Sequence, residues 1–140
     1  MKRFKTFRII WLLSMVFMLT ACSGIPLKER RIEKRDRYHR YAGVPVESFT
    51  HIRSYDSWTP IDKRELVVWT SINDAYLIKI EPGCEDILFA DRIVLPKVGN
   101  TVSRKLDFVE VDGMKCRITS IQPVDYLQMK KDMRRENAVK

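Results

Sequence analysis

The chain has 140 residues, with 26 Lys and Arg against 18 Asp and Glu, and a formal net charge of +8. Hydrophobic residues make up 45% and glycines number only five, which excludes collagen-like and low-complexity classes and fits one folded domain. Four basic residues, Lys2, Arg3, Lys5 and Arg8, precede an apolar run, so the part from Cys22 onward carries only +4.

The apolar run spans Ile9 to Leu19 and is followed by Thr20-Ala21-Cys22. A basic start, a short apolar core and small residues before a cleavage point have the form of a secretory signal peptide. Leu19-Thr20-Ala21-Cys22 resembles the lipobox of bacterial lipoproteins. That resemblance implies transfer of diacylglycerol to the Cys22 sulfur, cleavage before Cys22 and acylation of the new amino terminus. The rival readings are an uncleaved membrane helix and ordinary secretion. Ile9 to Ala21 is 13 residues long and is interrupted by Ser14 and Thr20, whereas a span needs about 20 apolar residues. Ser23 follows the cysteine, where an Asp would mark inner-membrane retention. The expected location is therefore the outer membrane, on its periplasmic face, rather than the inner membrane.

From Cys22 the sequence divides into a charged, lipid-anchored tether (22–42) and a single small domain (43–140), behind a signal peptide (1–21). In the tether, Lys28 to Arg40 holds seven basic and three acidic residues. Glu33/Arg37 and Asp36/Arg40 are (i, i+4) pairs in the favourable order. Leu27, Arg31, Tyr38 and Tyr41 give only a thin apolar stripe, so a partly helical segment is expected, ending near Ala42-Gly43. Pro45 disfavours helix just beyond.

The body reads as strands. Phe49 to Tyr55 alternates loosely, and Trp58-Thr59-Pro60 suits a strand edge or a turn. Glu65 to Ser71 is β-rich and apolar on both faces. With the turn Ile72-Asn73-Asp74 and the strand Ala75 to Ile80, it forms an expected hairpin. Pro82-Gly83 breaks it, and Asp86 to Ala90 is a short helical turn. Arg92 to Leu95, Thr101 to Phe108 (or on to Val111) and Lys115 to Ile121 are further strands, with turns at Val98-Gly99-Asn100 and Asp112-Gly113. From Asp125 the period becomes helical, with Tyr126, Met129 and Met133 on one face over about 124–137. The expected fold is α+β: a mostly antiparallel sheet of five to six strands with a C-terminal amphipathic helix and a charged N-terminal tether.

Chemistry is sparse. Cys84 and Cys116 are the only other cysteines, and in an oxidising compartment they read as a disulfide. Two free thiols, or a redox or metal role, are the rival readings, and no C-x-x-C spacing supports the last of these. The two histidines past the signal, His39 and His51, have no zinc-ligand spacing. Ser48, His51 and Asp56 lie near one another, but triads are made by geometry and not adjacency. No G-x-S-x-G elbow and no phosphate-binding loop occurs. Catalytic residues, metal and cofactor are therefore expected to be none. Candidate ligand or partner contacts are Trp58, Tyr55 and Arg117, while Trp69 and Tyr76 fit core positions. The basic runs Arg30-Arg31, Lys34 to Arg37, Lys130-Lys131 and Arg134-Arg135 are solvated faces or contacts to anionic lipid. The inferred compartment argues against nucleic acid.

Together, Leu19-Thr20-Ala21-Cys22, Trp58-Thr59-Pro60, Val68-Trp69-Thr70, Ala75-Tyr76-Leu77, Cys84, Cys116-Arg117-Ile118 and Pro123-Val124-Asp125 resemble a group of small proteobacterial lipoproteins that forms a domain of unknown function. The resemblance covers Tyr41 to Asp125 plus the signal. It implies a Gram-negative envelope setting and two paired cysteines, and it carries no activity. The expected function is a lipid-anchored periplasmic module that binds or assembles without catalysis. Its expected partners are the membrane, through its lipid, and another envelope protein or anionic lipid. The alternatives are a small hydrolase using carboxylates between Cys84 and Asp91, and an envelope stress or adhesion factor acting on anionic lipid.

Overall fold

Strand-forming residues fill the middle of the chain and helix-forming residues its two flanks, and the elements follow that division. The computed structural model describes residues 26–51, 57–95 and 98–139. Helix α1 is Leu27–Arg40 and helix α2 is Tyr126–Ala138. Between them lie β1 (Ser48–Thr50), β2 (Ser57–Asp62), β3 (Glu65–Trp69), β4 (Ala75–Ile80), β5 (Ile93–Val94), β6 (Thr101–Ser103), β7 (Phe108–Val111) and β8 (Met114–Val124). A 3-10 turn covers Glu85–Phe89, where the sequence predicts a helical turn.

Six strands form a curled antiparallel sheet in the order β2-β3-β4-β8-β7-β5, and β1 pairs with β6 in a second, two-stranded sheet. The fold is thus α+β with a six-stranded sheet and a C-terminal helix. The predicted hairpin is its centre: Leu66 faces Ile78 and Val67 faces Leu77. Its turn is pinned by Ser71, whose hydroxyl donates to Asp74 at 2.6 Å and accepts the Asp74 N–H at 3.1 Å. Pro60 lies on β2, an edge strand, where a missing N–H costs least. The β7–β8 hairpin turns on Asp112 (φ 47°) and Gly113 (φ 89°). Positive φ at both residues suits the right-handed twist of the strands, and an Asp-Gly pair is the sequence that tolerates it.

Three strand boundaries differ from the expectation. The segment from Thr101 to Val111 is not one strand: β6 ends at Ser103 and β7 begins at Phe108. Asp107 causes the break. Its carboxylate accepts the Ser103 N–H at 2.6 Å, and its own N–H donates to the Ser103 carbonyl. Side-chain bonding of this kind offers the backbone an alternative to a ladder. Strand β8 runs on to Val124, through Pro123. The Pro123 carbonyl accepts from Gly43, on the side away from β4, so its ring nitrogen also points where no ladder donor is required. Strand β1 stops at Thr50, and the rest of the predicted strand, residues 52–55, lies outside the described residues.

Strand alternation makes two cores. On the inner face of the curl, Leu66, Val68, Ile78, Ile80, Ile118 and Ile121 pack with Phe49 and Val102 of the two-stranded sheet, and Phe49 stacks on Tyr76 with ring centroids 4.3 Å apart. Cys84 and Cys116 are bonded here, Cα atoms 5.9 Å apart. On the outer face, Ile61, Val67, Ala75, Leu77 and Val124 pack beneath Tyr38 of α1 and Met129 of α2. Asp125 caps α2 by accepting the Gln128 N–H at 3.0 Å, relieving one of the unpaired donors at the helix start. From Arg31 onward the chain forms one compact unit, Arg31–Lys140. That unit takes in the second half of the charged segment that the sequence assigns to a tether, because Tyr38 and Tyr41 pack beside residues far along the chain.

Candidate functional site

The outer face carries a layer of two basic helices. Tyr38 and Tyr126, one from each helix, each make a T-shaped contact with Trp69, with centroids 6.2 and 5.7 Å away. Burial pushes the Tyr38 hydroxyl up to about 12. Around this aromatic core α1 is fastened by polar contacts. Lys34 Nζ donates to Thr59 Oγ1 at 2.9 Å, and Arg35 Nη1 to Asp62 Oδ2 at 2.9 Å. His39 Nε2 lies 2.6 Å from Glu65 Oε2, while Lys79 takes the other oxygen at 2.9 Å. Partly solvated contacts of this kind add little net stability, so they fix the orientation of α1 more than they stabilise the fold.

Residues 31–40 and 130–136 together hold nine basic and four acidic side chains. The sheet brings both stretches to one side. Arg35 is used on Asp62 and Arg37 on Glu33, whereas Arg31, Arg40, Lys131 and Arg134 are exposed. The arrangement can attract an anionic surface, which neither segment could do as broadly alone.

The two helices are joined at Tyr41, whose hydroxyl donates to Asp132 Oδ2 at 2.7 Å. This bond, with a second donated by Gln128, holds the Asp132 carboxyl below its usual range. A carboxyl lowered by folding favours the folded state above the ordinary carboxylate pKa. That contribution is lost as pH falls through the lowered value. Tyr41→Phe is therefore expected to move the Asp132 carboxyl resonance midpoint upward in an NMR titration and to leave α2 in place. An unchanged midpoint would remove the Tyr41 bond as the cause.

A second feature lies on the part of the outer sheet face that the helices leave bare. On β7 and β8, Val109, Val111, Cys116 and Ile118 point inward, so Phe108, Lys115 and Arg117 point outward. Phe108 is opposite Arg117 in the ladder. With Glu81 and the turn residues Lys105 to Asp107 they line a depression of about 180 Å³. Lys115 Nζ sits 4.6 Å above the Phe108 ring centroid. Glu81 accepts the Arg117 N–H at 3.0 Å and returns its own N–H to the Arg117 carbonyl.

Of the residues singled out from sequence, Arg117 lies in this depression. Trp58 is half-buried against the inner core, so Trp58 and Arg117 face opposite sides of the sheet and are not brought together. Cys22 and Tyr55 lie outside the described residues. So do the side chains of Glu85 and Asp86 in the loop considered for acid–base work, while Asp91 is exposed. The sequence reading missed Lys105, Leu106 and Asp107 because it placed them within a strand. The break in apolar alternation at Arg104-Lys105 was the available signal.

Among the described residues, no helix is long and apolar enough to cross a membrane, and no three His, Cys, Asp or Glu side chains gather in a group that could hold a metal ion. No curated protein and no solved structure matches the chain. One family model does match, over residues 5–140. The match is wider than the resemblance read from the motifs, since it takes in both basic flanks. The chain belongs to this family, DUF6491, a family of unknown function.

Proposed function

We propose that this protein is a lipid-anchored envelope lipoprotein whose body acts as a non-catalytic binding or assembly module. Residues 1–21 are its signal, Cys22 carries the lipid, and the outer membrane holds it on the periplasmic side. The observation that carries this reading is the order basic start, apolar run and Leu19-Thr20-Ala21-Cys22. Two further observations support it. The family match runs through this leader from residue 5. Eleven residues separate Cys22 from Lys34, an α1 side chain bonded to Thr59 of the sheet.

Fully extended at about 3.5 Å per residue, the stretch spans no more than roughly 40 Å, and its part from Leu27 is helical and so shorter still, at about 1.5 Å per residue. A body held so close brings its basic helix layer within reach of anionic headgroups. Each basic residue at such a surface contributes about 1 kcal/mol, screened within a Debye length.

The test is the intact mass of the protein extracted from membranes, beside a Cys22→Ala variant. The expected wild-type mass is that of Cys22–Lys140 plus three acyl chains, and the variant stays full-length and unlipidated. A full-length, unlipidated wild type would overturn the reading. For the module itself, affinity capture of the lipidated protein from envelope extracts is expected to enrich an envelope protein over a control bearing the same anchor. Equal recovery from both would reject it.

A further inference from the structure

We propose that the depression on β7 and β8 is a binding site for a small oxyanion group, carboxylate or phosphate, carried on an apolar stem. The inference is independent of how the chain is anchored, because it rests on side chains of the body alone.

Its first support is the state of the charged groups. Three cations and two carboxylates line the depression. Glu81 is oriented by the Arg117 N–H and Asp107 by the Ser103 N–H; both keep their charge, so the lining is +1 overall. Lys105 shares Glu47 with Arg104. Among the described residues, no ion pair within 4 Å joins Arg117 or Lys115 to a carboxylate, and Glu110 stands opposite Lys115 across the ladder. Two cations thus remain beside one another on neighbouring outward positions of β8. A guanidinium offers a planar fork of donors that matches an oxyanion in two bonds, and the ammonium adds a point charge.

Apolar surface supplies the second support. Leu106 is 84% exposed at the tip of the β6–β7 turn. Phe108 also lines the depression, with Lys115 over its ring. The cation–π contact holds the Lys115 ammonium above the ring, which places it before any ligand arrives. An anion that meets the two cations therefore has apolar side chains next to it.

Size limits the occupant. The depression holds about 180 Å³. That is about six times the ~30 Å³ volume share of a liquid water and is below the ~300 Å³ at which pockets enclose a drug-sized molecule. It admits an oxyanion and a few carbons, which is the end of a ligand and not the whole of one.

The test is an amide-resolved NMR titration of the full chain in non-ionic detergent at constant ionic strength. The probes are inorganic phosphate, acetate and hexanoate. Saturable shifts are expected at the amides of Glu81, Asp107 and Arg117, with hexanoate binding at least threefold more tightly than acetate. Arg117→Gln is expected to weaken all three probes at least tenfold. Leu106→Ser is expected to remove the advantage of hexanoate and leave acetate unchanged. Both side chains are exposed, so the variants retain the fold, and Arg134→Gln on α2 serves as a control that binds normally. Phosphate binding alone would identify phosphate as the source of the oxyanion, and binding of hexanoate with no phosphate effect would identify carboxylate. Shifts spread evenly over all basic surfaces, or shifts unaffected by Arg117→Gln, would overturn the proposal.

Discussion

Replacing Cys84 and Cys116 together by alanine is expected to lower stability by about 3–4 kcal/mol. The bond joins residues 32 apart in sequence. In the chain-entropy account, closing a loop of that size removes about 3.7 kcal/mol worth of freedom from the unfolded chain. The segment it encloses is the one with fewest regular ladder bonds of its own: a two-residue β5, a three-residue β6 and a four-residue β7. Without the cross-link these short elements are held only by packing and their few ladder bonds. Both cysteines are buried in the inner core, so the alanines also leave a small void that adds to the loss. Urea unfolding of the oxidised wild type and the double variant measures the difference. A loss below 1 kcal/mol would mean that the unfolded chain gains little freedom when the bond is absent. Hydrogen exchange is expected to report the damage first around Ile87 to Val94, and last in β3 and β4.

Ile78→Ala is expected to cost about 2–5 kcal/mol, the range for truncating a large buried aliphatic residue. Ile78 is fully buried at the middle of β4, and the ladder sets it between Leu66 of β3 and Ile121 of β8. Strands on both sides restrict how far the cavity can collapse, which favours the upper half of the range. Domains of this size are stable by only about 5–15 kcal/mol, so the variant would unfold at markedly lower denaturant. Leu106→Ala offers a contrast: the same aliphatic class, but exposed, and so expected to change stability by less than about 0.5 kcal/mol. Matching midpoints for the two variants would show that burial at Ile78 contributes much less than its position implies.

The hairpin β3–β4 was legible because each signal agreed with the next: β-branched and aromatic residues, a turn bearing Ser71 and Asp74, and a second strand with matched length. The two-residue turn at Asp112-Gly113 was legible for the same reason, since few sequences accept two positive φ values. The break between β6 and β7 was not read. It depends on one carboxylate reaching a backbone N–H four residues away, and the only local sign of it is the break in apolar alternation at Arg104-Lys105. The passage of β8 through Pro123 was hidden too. A proline is harmless there only because β7 has already ended, and that is a property of the partner strand.

The sequence by itself determined the class of fold, the boundary between strand-forming body and helical flanks, the cysteine pair available for cross-linking, and the order of basic start, apolar run and Leu19-Thr20-Ala21-Cys22 on which the proposed anchor rests. Those features follow from local chemistry: periodicity, turn residues and a run of apolar side chains. Tertiary structure alone decided that Tyr38 and Tyr126 meet at Trp69, and so that two basic stretches, whose nearest members Arg40 and Lys130 are 90 positions apart, share one side of the sheet. It also decided that Arg117, Lys115 and Leu106 surround one depression while Trp58 faces the other way. Alternation tells which side chains in a strand point together. Which strand lies beside it, and which helix covers it, is settled by packing between residues distant in the chain.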